Sequence, residues 1–244
     1  MNRYATIILK NFFRIPWIYA KLCRFARHPE RYDEKAAFQY LGKIMRLMIK
    51  SGNITLKVTG QENIPTENGF MMYGNHQGMF DVVAIPATFD GPLAAVYKKE
   101  LRNVPVLKQI CAFTRSFAMD REDVRQSMTV IQAVTEEVKK GRNYLIFPEG
   151  TRSKTGNTMR TFHGGSFRCA IKAKCPIVPI AFIDCWKVFD QKGSKPVTAQ
   201  IHYLHPIPYE AYKDLKSTEL AELVKSRIQQ VLDAHCENST TFPE

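Results

Sequence analysis

The sequence predicts an α/β fold: a mixed, largely parallel central sheet of about seven strands covered by helices, preceded by an N-terminal amphipathic helical hairpin. Three observations carry this. Residues 1–52 repeat apolar residues at helical spacing with few acids, short β-type runs alternate with helical ones from about residue 53, and no internal repeat or low-complexity linker interrupts that alternation. At 244 residues and 45% hydrophobic, the chain can bury a good-sized core. The expected organisation is a helical segment over 1–52 and an α/β domain over 53–244.

The first element is "MNRYATIILKNFFRIPWIYAKLCRF". Ile7, Ile8, Leu9, Phe12, Phe13, Ile15, Trp17, Ile18, Tyr19 and Leu22 lie among Arg3, Lys10, Arg14, Lys21 and Arg24. Lys10 and Arg14 interrupt the apolar run, which falls short of the about 20 consecutive apolar residues of a spanning helix, and no small-residue cleavage site follows as in a signal peptide. Aromatic and basic residues mixed on one helix suit an element lying in the bilayer interface; a core-packing helix with a basic solvent face is the alternative. Tyr32 to Lys50 reads as a second basic amphipathic helix, with Phe38, Leu41, Ile44, Met45 and Met48 on one side, so the two are expected to form a hairpin against the membrane.

Charge supports that placement. Twelve of the 35 Lys/Arg but only three of the 23 Asp/Glu fall in residues 1–60, so this quarter of the chain carries +9 of the net +12. Each basic residue near an anionic leaflet contributes about 1 kcal/mol. A nucleic-acid reader spreads basic residues over a folded face or interleaves exposed aromatics on a sheet, so anionic lipid rather than nucleic acid is the expected partner. The expected location is the cytoplasmic face of the cell membrane, peripheral or monotopic.

The expected strands are "ITLKVTG", "GFMMYGN", "LAAVYKK", "SFAMDR", "NYLIFPE", "IVPIAFI" and "VTAQIHYL". Helical segments fall just after His76, at about Val106–Phe113, Asp123–Lys140 and Gly165–Lys174, and finally from Ser217 or Thr218, where Leu220, Leu223, Val224, Ile228, Val231 and Leu232 recur at helical spacing. Pro179 is expected to break the sixth strand. The six cysteines form no CxxC pair and no zinc-type spacing, so they read as reduced thiols, and no metal site is expected.

Two strands end in chemically loaded loops: "GFMMYGN" runs into His76, and "NYLIFPE" into "FPEGTRS". If both strands share one sheet and one direction, their loops share one rim, where open α/β sheets gather ligands. Asp81, five positions after His76, can reach back to one ring nitrogen, fix the tautomer and leave the other nitrogen free as a general base. A loop histidine and a helical aspartate that merely cap local structure are the alternative. Gly150, Thr151 and Arg152 offer a turn, a hydroxyl and a guanidinium that suit phosphate oxygens, and Arg121 at another strand end is a second phosphate candidate. "HGGSF" around Ser166 is a poor nucleophile elbow and is expected to start a helix.

"NHQGMFD" (Asn75 to Asp81), "KKEL" (Lys98 to Leu101), "FAMDR" (Phe117 to Arg121), "FPEGTRS" (Phe147 to Ser153) and "IVPIAF" (Ile177 to Phe182) occur in the order and approximate spacing of the acyltransferase blocks. Over about residues 54 to 205 the chain resembles the glycerophospholipid acyltransferase superfamily, most closely the 1-acyl-sn-glycerol-3-phosphate acyltransferases. The resemblance implies transfer of a fatty acyl group from acyl-CoA or acyl carrier protein, as co-substrate and with no cofactor, to a lysophospholipid hydroxyl. It implies His76 as base and Asp81 as its orienting carboxylate, without a covalent intermediate. Lys98 would lie near the thioester oxygen, Asn75, Glu149, Gly150, Thr151 and Arg152 would bind substrate, and Arg121 would be a phosphate partner. The fourth block would wall the acyl pocket. The chain departs from the pattern at Gly78, where serine is frequent, and at "TFHGGSF", where a lysine-rich turn is frequent.

The main expectation is acylation of 1-acylglycerol 3-phosphate at its sn-2 hydroxyl, giving phosphatidic acid. Acylation of glycerol 3-phosphate, another lysophospholipid or a lyso-aminolipid would use the same motifs, and a non-catalytic basic membrane- or nucleic-acid-binding module is the alternative of a different class. A lipid hydrolase would need a nucleophile that the motifs do not supply.

Overall fold

The computed structural model describes residues 2–153 and 156–240. Seven strands form one sheet: β1 (Ile54–Thr59), β2 (Met71–Gly74), β3 (Ala94–Lys98), β4 (Phe117–Met119), β5 (Tyr144–Ile146), β6 (Ile177–Ile183) and β7 (Val197–Tyr203). Their order is β1-β7-β6-β2-β5-β3-β4, and every neighbouring pair is parallel except β6 and β7. Each expected strand is present, most of them shorter than their apolar runs. All residues of β2, β5 and β6 are buried, as parallel strands covered on both faces require.

The helices are α1 (Arg3–Asn11), α2 (Ile15–Arg27), α3 (Glu34–Ser51), α4 (Asp81–Thr88), α5 (Leu107–Phe113), α6 (Val124–Lys139), α7 (Arg168–Ala173), α8 (Cys185–Asp190) and α9 (Ser217–Thr240). On one face of the sheet, Leu22 and Phe25 of α2, Phe38, Leu41 and Met45 of α3, Ala84 and Ile85 of α4, Phe113 of α5 and Val188 of α8 pack against Met72, Leu145, Val178 and Ile180. On the other, Val130, Val134 and Val138 of α6, Cys169 of α7, and Leu220, Val224 and Ile228 of α9 pack against Met71, Tyr73, Tyr144 and Ile177. Each large apolar side chain so buried contributes about 1.5–3 kcal/mol.

Three expectations need revision. Pro179 lies inside β6, level with Tyr73 on β2, and does not break it. Its carbonyl accepts from the Leu204 N–H at 2.9 Å, so its nitrogen also faces the β7 side, and the β7 ladder begins one residue later at Ile180; the missing N–H therefore costs the β2 ladder nothing. The first helical pattern breaks at Phe12–Arg14 into α1 and α2. The hairpin against a membrane is not the arrangement of α3, because the apolar side of that helix is spent on the sheet. The exposed large hydrophobics of the N-terminal region are instead on α1, α2 and the turn between them: Phe13 is 88% exposed, Trp17 80%, Leu9 66% and Phe12 61%. Among the described residues no helix is long and apolar enough to cross a membrane.

Arg3 also departs from its expected place in the basic fringe. It is 4% exposed, and its guanidinium donates to the Val188, Gly52 and Lys195 carbonyls at 2.7, 2.7 and 2.8 Å, tying α1 to α8 and to the end of α3. Tyr4 follows it and stacks on Phe189 of α8, with centroids 4.5 Å apart.

Candidate functional site

Parallel pairing of β2 with β5, Tyr73 beside Ile146, carries both loaded loops to one rim. Chain direction at the end of β2 is set by Asn75, which is 2% exposed: its amide donates to the Phe182 carbonyl at 2.9 Å and accepts from the Phe182 N–H at 2.8 Å. Asn75 thus pins the His76 loop to β6, and both ends of its side chain are committed to that backbone.

His76 is held at Nδ1 and on one ring face. Nδ1 lies 2.7 Å from Asp81 Oδ2, and the same oxygen accepts the Gln77 and Gly78 N–H groups at 2.6 and 3.0 Å. The loop therefore wraps the carboxylate, which is fully buried at the first residue of α4. Phe147 stacks on the imidazole, centroids 4.1 Å apart and planes 19° apart. Among the described residues Nε2 carries no hydrogen bond, and the side chain remains 17% exposed. An imidazole whose Nδ1 proton is fixed by a carboxylate can take up a proton at Nε2, the arrangement a general base needs.

The second loop clamps the first. Glu149 is 3% exposed; one carboxylate oxygen accepts the His76 N–H at 2.7 Å and the other the Arg160 N–H at 3.0 Å. The Ser153 N–H donates to the His76 carbonyl at 2.8 Å, so both backbone polar groups of His76 are taken by "FPEGTRS". Burial raises the Glu149 pKa above the ordinary carboxylate range, against the lowering effect of the two backbone donors and of His76. Gly150 turns at φ +70°, a conformation that favours glycine, and a Cβ there would meet the His163 ring at 3.5 Å and the Arg121 side chain at 3.9 Å.

That contact brings Arg121 from the end of β4 to the same turn. Arg152 is directed to the other side, 3.9 Å from Asp190 at the end of α8. Thr151 is exposed on the turn between them. Lys98 stands apart: it ends β3, its side chain is about half exposed, and its ammonium pairs with Glu100 at 3.1 Å. Extending the strand registers puts Lys98 level with Asn75 but two strands away, about 10 Å at ordinary strand spacing.

The sequence profile of the Acyltransferase family matches residues 55–183, more than half of the chain. The chain belongs to the acyltransferase family. It is 30% identical over 208 residues to the 1-acyl-sn-glycerol-3-phosphate acyltransferase of Saccharomyces cerevisiae, covering 82% of this chain and 67% of the relative. It is 25% identical over 202 residues to the protein of that name from Borreliella burgdorferi, covering 82% and 80%, and 29% identical over 178 residues to that from Salmonella typhimurium, covering 72% of each. The crystal structure of the 1-acyl-sn-glycerophosphate acyltransferase PlsC from Thermotoga maritima superposes with a TM-score of 0.75 at 20% identity, over 95% of this chain and 96% of that one, and shares its fold.

In this acyltransferase further residues around the site have partners that the local sequence does not show. Gln77 is 1% exposed, accepts the Cys185 N–H at 2.8 Å and donates to Asn157 at 2.7 Å; Asn157 in turn donates to Asp184 at 3.1 Å and accepts its N–H at 2.9 Å. This chain of amides joins the loop after Arg152 to the start of α8. The acyltransferase also has a physical reason for Gly78: a Cβ there would lie 3.1 Å from the Trp186 Cα and 3.3 Å from the Asp190 carboxylate, so a serine requires α8 to give way.

Proposed function

We propose that the protein transfers a fatty acyl group from acyl-CoA or acyl carrier protein to the sn-2 hydroxyl of 1-acylglycerol 3-phosphate, producing phosphatidic acid. The observation that carries the reading is the His76 Nδ1 to Asp81 contact of 2.7 Å, with Nε2 left open, on the rim that also presents Arg152 and Arg121. The relatives' name, 1-acyl-sn-glycerol-3-phosphate acyltransferase, supports this choice of acceptor.

In the proposed reaction the sn-2 oxygen attacks the thioester carbonyl carbon while its proton passes to His76 Nε2. The carbon–sulfur bond then breaks, and the imidazolium returns the proton to the leaving thiolate. Asp81 keeps the Nδ1 proton in place and stabilises the transient imidazolium, and Phe147 holds the ring plane. No covalent enzyme intermediate is needed. Negative charge developing on the thioester oxygen calls for a donor; Lys98 reaches it only by leaving Glu100, which its flexible stem permits.

Arg152 is the proposed seat of the acceptor phosphate, with Thr151 next to it and Arg121, across the Gly150 turn, as the second candidate. Glu149 is a positioning residue, since its oxygens are occupied by backbone donors, and Asn75 likewise acts through the loop. The membrane-contacting part of residues 1–52 is α1 and α2, whose exposed aromatic and basic residues suit an anionic interface. The proposed location is the cytoplasmic face of the membrane, as a peripheral or monotopic enzyme. The test is thiol release from acyl-CoA and from acyl carrier protein with a panel of lysolipids. Release confined to acceptors without a phosphate monoester overturns the assignment.

A further inference from the structure

A cavity of about 520 Å³ lies outside the rim described above, and is lined by Tyr97, Arg102, Asn103, Lys108, Cys111 and their neighbours. Its size is that of a small-molecule pocket, but its chemistry differs from that of an acyl tunnel, because two cations and an amide converge on it. Among the described residues neither Arg102 nor Lys108 forms an ion pair. Guanidinium and ammonium groups without carboxylate partners, set in one concavity, suit phosphate oxygens.

Its position relative to His76 follows from register. Ala95 on β3 pairs with Leu145 on β5, so two residues further Tyr97 is level with Phe147 and points to the same face. Phe147 is the ring that stacks on His76. His76, Phe147 and Tyr97 therefore form a row, and the cavity opens at its far end, about two strand spacings or 10 Å from β2. The pantetheine arm of an acyl thioester, with two amides between sulfur and phosphate, is long enough to span that row.

The segment from Arg102 to Lys108, the second residue of α5, is held in an unusual shape. Val106 has φ +71° and ψ −54°, a strained backbone conformation for a β-branched residue. The turn is braced by Gln109, which accepts the Val106 N–H at 2.8 Å and reaches the Tyr19 hydroxyl of α2 at 3.4 Å. Strain maintained in this way sets the spacing of Arg102 and Lys108 on either side of it. Cys111 offers no competing nucleophile, since burial pushes its thiol up to about 11.

We propose that this cavity seats the phosphate of the acyl donor, with Arg102 and Lys108 as its ligands. The inference rests on the reading of the chain as a thioester-dependent acyltransferase. The phosphodiester at the end of the pantetheine arm is common to coenzyme A and acyl carrier protein, and coenzyme A adds the phosphates of its adenosine.

The test is the Arg102→Ala/Lys108→Ala double variant at saturating acceptor. Donor KM is measured with whichever of acyl-CoA and acyl carrier protein the wild type uses, and with the same acyl chain on N-acetylcysteamine, which has no phosphate. Donor KM is expected to rise about tenfold or more for the phosphate-bearing donor, with acceptor KM and turnover of the truncated thioester unchanged. Loss on both natural donors assigns the pantetheine phosphate, and loss on acyl-CoA alone assigns those of the adenosine. Equal loss with the truncated thioester, a shift confined to acceptor KM, or no change overturns the proposal. Calorimetric binding of coenzyme A to wild type and variant reads the same contact without turnover. If the wild type transfers from no thioester yet binds coenzyme A through these residues, the functional reading fails and the cavity assignment stands. A melting temperature equal to that of the wild type confirms that the double variant is folded, as expected for two exposed side chains.

Discussion

A carboxylate oxygen of Glu149 accepts the His76 N–H at 2.7 Å, so the loop after β5 fixes the backbone of the histidine in the loop after β2. The second oxygen is taken by the Arg160 N–H, which leaves Glu149 no free acceptor directed at a ligand. Conservative replacement by glutamine offers only one acceptor oxygen and turns an NH2 group toward the other backbone donor. Leaving a buried donor unmet costs about 1–3 kcal/mol. Glu149→Gln is expected to lower kcat and the melting temperature while acceptor KM stays near the wild-type value. Steady-state kinetics with thermal melts check this, and a selective rise in acceptor KM would instead make Glu149 a direct ligand.

The same carboxylate predicts a pH dependence of stability. Burial raises its folded pKa above the ordinary carboxylate value, so the folded state holds a proton more tightly than the unfolded chain. The contribution is fully present below the unfolded pKa and is lost as pH rises through the folded one. The stability of wild type relative to Glu149→Gln should therefore fall as pH rises through the carboxylate range and on through the raised folded pKa. Chemical denaturation of both proteins across that range checks the sign.

Arg152 and Asp190 should act on the acceptor in opposite directions. Arg152→Ala removes the proposed phosphate ligand and is expected to raise acceptor KM about tenfold or more with donor KM little changed. Asp190→Asn removes a carboxylate 3.9 Å from that guanidinium and is expected to lower acceptor KM by a few fold, a small effect because both side chains are partly exposed. Kinetics with lysophosphatidic acid check both, and parallel changes of the same sign in the two variants would detach Asp190 from the phosphate seat.

Fold class and the paired loops were legible in the sequence because β2, β5 and β6 are buried on both faces and write themselves as apolar runs. Parallel β2 and β5 then bring His76 and Glu149 to one rim, as their shared position at strand ends implied. The role of α3 was not legible: its apolar stripe is the same whether it meets lipid or a sheet, and only tertiary packing of Phe38 and Leu41 decides. Arg3 misled for a related reason, since nothing local signals three backbone carbonyls that converge from residues 52, 188 and 195. Six-residue α8 was missed because it is entered through Asp184 at φ +60°, without a side-chain cap or a full helical period to read. The partnerships of Gln77 and Asn157 were not legible, because their partners lie up to 108 positions away.

The two kinds of N-terminal residue separate experimentally. Phe13→Asp/Trp17→Asp alters the most exposed aromatics of this region and is expected to reduce binding to anionic vesicles without lowering the melting temperature. Arg3→Ala removes buried charge-assisted hydrogen bonds, worth about 1.5–3 kcal/mol each, and is expected to destabilise the fold. Vesicle sedimentation beside thermal melts distinguishes them. Undiminished vesicle binding by the aspartate variant would move the membrane contact away from α1 and α2.

The central claim is that His76 is the base that activates the acceptor hydroxyl. Its most direct test is single-turnover acyl transfer to lysophosphatidic acid by wild type and His76→Ala, both shown to be folded. Loss of a general base should slow transfer by about 10²–10⁴-fold with acceptor binding retained. Transfer at the wild-type rate by a folded His76→Ala protein would contradict the account.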